Sequence, residues 1–153
     1  MSEWLQDVKD LTLKGQIKVP YTWSVGEVGS RFLVALRDEK KIIGNRCNSC
    51  NTVYVPPRKN CGKCFKDIDE WAELGSEGIV TAYTIVRYEY PLQPAKAPFA
   101  YAIIKLDGAD VGFVHIIKED MDKLKIGVRV RARFKEDRKG NILDIDSFTI
   151  IKS

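Results

Sequence analysis

Four cysteines stand in two C-x2-C pairs, and this spacing constrains the chain more than any other feature. The pairs are Cys47 with Cys50 and Cys61 with Cys64, and ten residues separate them. Each pair places two thiolates on one tight turn, so two such turns close a tetrahedral shell of four sulfur ligands around one metal ion. Four protein ligands leave no position for a bound water, so we expect a structural metal rather than a catalytic one.

Two other uses of these cysteines stay open from the sequence. A disulfide within a C-x2-C pair would close a very small and strained ring. The first ten residues carry charges and no apolar segment, unlike a secretory signal, so we expect a reducing cytoplasm, where metal binding is favoured over disulfides. Iron also accepts four thiolates, as in rubredoxin-type electron-transfer sites, but zinc is the metal that we expect.

The composition is that of an ordinary globular protein. The 153 residues are 44% hydrophobic and 30% charged, and no apolar run approaches the roughly 18 residues that cross a bilayer, so we expect no membrane span. The chain has 25 basic and 21 acidic residues, and its formal charge of +4 is too small to indicate a nucleic-acid partner by itself. This length suits two small domains if a metal holds one of them.

Residues 1–40 have the pattern of a helical hairpin. Apolar residues fall at helical spacing near the N-terminus and again after Ser24, where Glu27 completes a capping-box pattern. A helix pair this small cannot bury its apolar side chains alone, so part of it must dock on another surface. The apolar positions are Trp4, Leu5, Val8 and Leu11 in the first helix and Val25, Val28, Phe32, Leu33 and Leu36 in the second.

The large aromatic side chains of this segment are candidates for contact with a partner protein. Exposed aromatic residues anchor many protein interfaces. Packing within the chain is the alternative for each of them. The candidates are Trp4, Tyr21, Trp23 and Phe32.

Residues 41–70 read as a metal-binding ribbon, and residues 71–153 read as a β-domain. From residue 78 onward apolar and polar residues alternate, which is typical of strands, and a short helical pattern over 118–125 lies between the third and fourth run. Five strands with such an insertion are the OB-fold arrangement, and an open β-sandwich is the alternative. The predicted fold is therefore mainly β with N-terminal helices. The predicted strands are 78–90, 99–106, 111–117, 128–135 and 142–151.

The fourth predicted strand carries a row of positive charge. Residues 128–135 place three arginines and a lysine on one face, which resembles a track for phosphates. The next strand places Asp144 and Asp146 outward, where they would meet these cations across the hairpin. We therefore predict cross-strand ion pairs in preference to nucleic-acid contact.

The motifs around the cysteines and in the β-domain resemble those of the family called domain of unknown function 35. The resemblance covers nearly the whole chain, although Gly62 stands where many members carry proline. Members have leading helices, a rubredoxin-like zinc ribbon and a C-terminal OB-fold associated with acyl-CoA. The motifs are RCNSC at 46–50, VPPR at 55–58, CGKC at 61–64, VTAYT at 80–84 and PFAYA at 98–102.

The resemblance implies a non-catalytic accessory or scaffold protein rather than an enzyme. Family members are partners of acyl-CoA enzymes, notably thiolases and hydroxymethylglutaryl-CoA synthases, so it implies a partner of that type and a contribution to acyl-CoA binding. Cations would hold the CoA phosphates, and an apolar groove beside them would hold the pantetheine arm. The candidates for these contacts are Arg46, Arg58, Tyr88 and Tyr90. The alternative for the arginines is to offset the negative charge of the metal site, and the alternative for the tyrosines is packing in the barrel.

Binding of single-stranded RNA or DNA is the alternative function, because OB-folds and zinc ribbons recur in such proteins. Tyr83, Tyr101 and Phe113 are the candidates for base stacking. An enzyme in its own right has less support. The single histidine, His115, has no acid–base partner at a readable spacing, and we expect it on the less buried face of a strand.

Overall fold

A computed structural model describes residues 19–151, together with Thr12 and Gly15. The first predicted helix, which includes Trp4, lies outside the described residues. The second is present, since helix α1 spans Gly26–Val34 and continues as a π-helical turn over Ala35–Glu39. No helix in the described part of the chain is long and apolar enough to cross a membrane.

Helix α1 starts without the capping box expected from Ser24 and Glu27. Ser24 Oγ instead accepts a hydrogen bond at 3.1 Å from the N–H of Gly26, the residue before Glu27. The apolar side of the helix faces the core, where Phe32 is only 3% exposed and Leu36 is fully buried. Because Phe32 is used for packing within the chain, our prediction that it contacts a partner is wrong.

The metal-binding ribbon forms a three-stranded antiparallel sheet in the order β2-β1-β3. Strand β1 spans Ile42–Arg46, β2 spans Val53–Tyr54 and β3 spans Glu70–Leu74. Arg46 at the end of β1 lies opposite Glu70. Strand β3 thus completes the ribbon, although the predicted boundary assigns residues from 71 onward to the β-domain.

The rest of the chain closes a five-stranded barrel in the order β4-β5-β6-β8-β7. This is the OB-fold arrangement, and a 3-10 turn over Met121–Lys123 lies at the predicted place between the third and fourth barrel strands. The strands are β4 Glu77–Val86, β5 Phe99–Leu106, β6 Phe113–Ile117, β7 Arg129–Phe134 and β8 Ile145–Ile150.

Two strand limits differ from the sequence pattern. Strand β4 ends at Val86, so residues 87–98 form one long loop before β5. Strand β8 begins only at Ile145, because Ile142–Asp144 forms a 3-10 turn. The side chain of Asn141 starts this turn by accepting the Leu143 N–H at 2.8 Å.

One hydrophobic core joins the helix, the ribbon and the barrel. Phe113 and Phe148 of the barrel belong to the same buried cluster as Phe32 of α1 and Val53 of β2. A pair of hydrogen bonds fixes the ribbon to the barrel at this point. The Asp110 N–H donates to the Val53 carbonyl at 3.0 Å, and the Asp110 carboxylate accepts the Val53 N–H at 2.8 Å.

Candidate metal centre

The two cysteine pairs lie on turns of the same geometry. In the first turn the Asn51 N–H donates to the Cys47 carbonyl at 2.7 Å, and in the second the Phe65 N–H donates to the Cys61 carbonyl at 2.9 Å. Both Asn51 and Phe65 have a φ of 57°, in the left-handed region. The C-x2-C spacing therefore dictates the turn even where phenylalanine, a poor residue for this conformation, must adopt it.

These turns bring all four cysteines together. The sulfur atoms of Cys47, Cys50, Cys61 and Cys64 all lie within 4.8 Å of one another, and those of Cys50 and Cys61 are 3.6 Å apart. Zinc–sulfur bonds of about 2.3 Å in a tetrahedron place sulfur atoms about 3.8 Å apart, so the cluster fits a four-coordinate ion. The predicted ligand set is confirmed as a group of residues positioned for metal binding.

The close packing of the four sulfurs shifts the pKa values of two cysteines in opposite directions. A hydrogen bond with the Tyr54 hydroxyl lowers the pKa of Cys61 to about 6, whereas bonding to the Cys50 sulfur, together with burial, raises the pKa of Cys64 to about 12. Opposite shifts follow when neighbouring sulfurs compete for protons and cannot all carry negative charge. A divalent cation removes this conflict, because metal binding requires and stabilises thiolates.

The two candidate arginines for acyl-CoA lie in different parts of the ribbon surface. The backbone of Arg58 is fixed by buried Asn45, whose side chain donates to the Arg58 carbonyl at 2.6 Å and accepts the Arg58 N–H at 3.1 Å. The Arg58 guanidinium lies over the ring of Tyr54, 5.2 Å from its centroid. Arg46 instead pairs with Glu70 at 3.5 Å.

The two candidate tyrosines lie on the long loop 87–98 rather than on a strand. Tyr88 is 72% exposed and Tyr90 is 62% exposed, so neither is packed in the barrel. The Gln93 side chain shapes the loop by donating to the Tyr88 carbonyl and accepting the Tyr90 N–H, each at 3.1 Å. A cavity of about 690 Å³ beside Tyr90 is lined by residues of this loop, including Pro91 and Lys96, and not by the ribbon arginines.

The positive row on β7 is largely paired. Arg129 and Arg131 share Glu77 at 2.9 and 2.6 Å, and Arg133 bonds Asp146 at 3.1 Å. The Arg133–Asp146 pair confirms the predicted cross-strand interaction. Because carboxylates occupy these guanidinium groups, the three arginines do not present free cations to a phosphate backbone.

Asp144 does not take part in this pairing, so that part of the prediction is wrong. Its carboxylate is buried and accepts the N–H groups of Lys139, Gly140 and Asn141 at 2.7 to 3.2 Å. The 3-10 turn before β8 breaks the alternation of side chains and directs Asp144 inward. These hydrogen bonds keep the pKa of Asp144 below its usual value despite the opposing effect of burial, the largest single influence on it.

The outer face of β5 and β6 carries an apolar group of side chains, with Lys105 at the end of the exposed row on β5. Ile103 of β5 lies opposite Val114 of β6, both are exposed, and partly exposed Tyr101 continues the row on β5. OB-folds bind their ligands on the face of these second and third barrel strands. We call Tyr101, Ile103 and Val114 the apolar barrel face.

Of the other predicted stacking residues, Phe113 is buried, as is the histidine, whereas Tyr83 is as exposed as Tyr101. Phe113 is buried in the core, and Tyr83 uses its hydroxyl to donate to the Leu124 carbonyl at 3.0 Å. His115 is also buried, stacked 5.7 Å from Phe113, with its Nε2 3.2 Å from the Ile142 carbonyl. The expectation of a less buried His115 is wrong because the core of the barrel closes over this position.

Comparison with known proteins accounts for both parts of the chain. A family model for the rubredoxin-like zinc ribbon domain of ChsH2 matches residues 35–70, and one for the C-terminal OB-fold domain of ChsH2 matches residues 71–135. A DUF35 domain-containing scaffold protein from Methanocaldococcus jannaschii is 30% identical over 112 residues, which are 71% of this chain and 79% of that protein. The chain belongs to the DUF35 family.

Two solved structures are similar to this DUF35 chain. A DUF35-family protein of unknown function from Sulfolobus solfataricus is 28% identical, with a TM-score of 0.59 over 71% of this chain and 77% of that one. A chain of the Ltp2-ChsH2(DUF35) aldolase is 19% identical, with a TM-score of 0.58 over 84% of this chain and 95% of that one. The second likeness shows a shared fold only.

Some residues around the DUF35 metal centre have no clear signal in the sequence. Asn45, Thr52 and Tyr54 all lie buried beside the cysteines, but each also fits an ordinary strand pattern. Tyr21 and Trp23 are exposed, as partner contacts need to be, and so is Phe65 at 82%. Phe65 is not among the predicted contact residues, although a large aromatic directly after a cysteine turn is a usable signal.

Proposed function

We propose that this protein is a non-catalytic accessory subunit that binds an acyl-CoA enzyme of the thiolase or hydroxymethylglutaryl-CoA synthase type. The names of two similar proteins support this role, since one is a scaffold protein and the other is the DUF35 component of an aldolase. The bound metal is zinc in this proposal, and it stabilises the ribbon without taking part in a reaction. A protein with four free cysteines at such a site belongs in a reducing cytoplasm.

The apolar barrel face is the observation that carries the proposal. A binder of single-stranded nucleic acid needs cations and stacking aromatics on this face. Ile103 and Val114 offer aliphatic side chains instead, and the arginines of β7, which pairs with β4 and β8 elsewhere in the barrel, are paired with carboxylates. Exposed aliphatic groups beside a partly exposed Tyr101 suit contact with another protein.

Complex formation tests this proposal directly. The protein is co-expressed with a thiolase-type or a synthase-type enzyme from the same source, and the complex is measured by size-exclusion chromatography and by titration. We expect a stable complex with at least one enzyme and at least about tenfold weaker binding after Val114→Glu, because a buried unpaired charge is costly at an interface. Ile126→Glu is the matched control, because Ile126 is 68% exposed and Val114 is 61% exposed.

The proposal fails if neither enzyme binds. Submicromolar binding of a single-stranded oligonucleotide at physiological salt, with steep loss of affinity as salt rises, would instead support the alternative function. If Val114→Glu and Ile126→Glu weaken enzyme binding equally, the apolar barrel face is not the interface.

The N-terminal aromatic residues are proposed as a second part of the enzyme contact. Tyr21 and Trp23 are exposed next to α1, and Trp4 precedes them in the sequence. Deleting residues 1–24 should keep the folded core, because Phe32 and Leu36 remain, and should weaken the complex. An unchanged affinity of the shortened protein would exclude this contact.

Acyl-CoA contact by Arg46, Arg58, Tyr88 and Tyr90 completes the proposal. Arg58 and the two tyrosines are exposed, so they are accessible to a ligand held between this protein and its enzyme. Calorimetric titration of the assembled complex with CoA measures this contribution. Arg58→Ala should weaken CoA binding. If the affinity for CoA is unchanged in all four alanine variants, these residues do not contact CoA and the proposal is reduced to a scaffold role.

A further inference from the structure

Strand β2 and the residue that precedes it present two hydroxyl groups to the metal centre. Thr52 directly precedes β2 and Tyr54 is its last residue, and both residues are buried beside the cysteines. Thr52 Oγ1 lies 3.3 Å from Cys50 Sγ, and the Tyr54 hydroxyl lies 3.3 Å from Cys61 Sγ. Each hydroxyl therefore reaches one cysteine of a different C-x2-C turn.

The hydroxyls are the donors in these contacts once a metal is bound, because a metal-bound cysteine is a thiolate without a proton. The Tyr54 oxygen also accepts the Gly62 N–H at 3.1 Å, which leaves its own proton to point at Cys61. The Arg58 guanidinium over the Tyr54 ring draws electron density from the phenol and strengthens it as a donor. Both side chains are buried, so water does not compete for the sulfur.

These contacts add to the hydrogen bonds that the cysteine turn makes by itself. Cys61 Sγ already accepts the N–H groups of Lys63 and Cys64, each at 3.4 Å. Those donors belong to the turn and accompany the C-x2-C geometry. The Tyr54 hydroxyl comes from outside it, so it is a separate influence on the same sulfur.

We propose that Thr52 and Tyr54 are positioning residues of the metal centre. Their hydroxyls orient one thiolate in each turn and withdraw negative charge from it. The metal is thereby lost more slowly, and the two thiolates react more slowly with electrophiles. Groups that hydrogen-bond to metal ligands commonly set affinity in this way.

Two substitutions remove the hydroxyls with little change in shape. Tyr54→Phe keeps the ring under Arg58, and Thr52→Val keeps the branched side chain, whereas Thr52→Ser restores a hydroxyl. Tyr83→Phe is the matched control, because it also removes a tyrosine hydroxyl with one hydrogen bond, 3.0 Å from the Leu124 carbonyl in the barrel. Each full-length protein is loaded with Zn²⁺ or Co²⁺.

Three measurements follow on these variants. In the zinc form we expect metal transfer to a chelator and alkylation by N-ethylmaleimide to be about tenfold faster in Tyr54→Phe and Thr52→Val. In the cobalt form we expect the thiolate-to-cobalt charge-transfer band to move to lower energy, because the thiolates become richer in electrons. Thr52→Ser and Tyr83→Phe should behave like the unaltered protein.

Unchanged rates and spectra in Tyr54→Phe and Thr52→Val would overturn the proposal. So would a change of the same size in Tyr83→Phe, since the effect would then reflect general destabilisation. If Tyr54→Phe does not fold, the comparison of Thr52→Val with Thr52→Ser decides the matter alone. Equal behaviour of those two variants contradicts the role of the hydroxyl.

Discussion

Phe65 combines two unfavourable properties at the end of the second cysteine turn. Its backbone is left-handed, with a φ of 57°, and its ring is almost fully exposed. The left-handed conformation costs an ordinary residue about 1 kcal/mol or more, and an exposed ring recovers little of it within the chain. Asparagine tolerates this conformation, as Asn51 does in the equivalent position of the first turn.

Phe65→Asn should therefore stabilise the metal-loaded protein by about 1 kcal/mol. The measurement is the free energy of unfolding in guanidinium chloride at fixed metal concentration. Phe65→Ala is the control, because it removes the ring but keeps the unfavourable backbone, and it should leave stability nearly unchanged. Equal gains in both variants would mean that the exposed ring, and not the backbone, is the source of the cost.

His115 predicts a stability change with pH. Burial lowers its pKa below the usual 6.5, with a smaller contribution from Lys118. As the pH falls below about 6.5, this histidine binds a proton in the unfolded chain but stays neutral in the folded barrel. The free energy of unfolding is therefore constant above that pH and decreases as the pH is lowered towards the folded pKa. The fall should approach at most about 1.4 kcal/mol per pH unit.

Unfolding free energies measured between pH 8 and 5 check this expectation. His115→Gln should flatten the slope below pH 6.5, because glutamine does not titrate but can still donate to the Ile142 carbonyl. Asp144 also makes stability depend on pH, but because its pKa is lowered, this dependence begins only below about pH 4. A slope that survives the substitution would assign the pH dependence to another group.

At the scale of elements, the turn before β8 depends on one carboxylate. Asp144 accepts three backbone N–H groups and is buried, whereas Asp146, two residues later, pairs with Lys118 and Arg133 nearer the surface. Asp144→Ala should cost about 3 kcal/mol, since it leaves partly buried donors unpaired. Asp146→Ala should cost less, about 1 kcal/mol. Thermal or chemical unfolding distinguishes the two, and equal losses would contradict the special role of Asp144.

Elements with a complete local pattern are predictable from the sequence. The five barrel strands follow from alternation, and the metal ligands follow from spacing, because both signals lie within a few residues. Strand β3 has no such signal, since its identity depends on pairing with β1 far upstream. Asp144 was misassigned for a similar reason, because alternation alone does not reveal the 3-10 turn that redirects its side chain.

At the scale of the whole molecule, the metal stabilises a ribbon that is also part of the common core. We expect about one zinc per chain, and its removal should open the ribbon while the barrel strands persist. Hydrogen exchange measured before and after chelation separates residues 42–74 from the barrel. Iron–thiolate absorption in the purified protein would refute the zinc assignment, and equal loss of protection in the barrel would mean that both parts unfold together.

The position of β3 limits how the protein can be divided. The two family models meet between residues 70 and 71, which lies inside Glu70–Leu74. A fragment ending at residue 70 would lose four of the five residues that pair with β1, and the complementary fragment would carry them without a partner. Exchange of ribbons between DUF35 proteins should therefore use a junction after residue 74, and the recipient barrel must keep an aspartate at position 110 to receive the Val53 backbone.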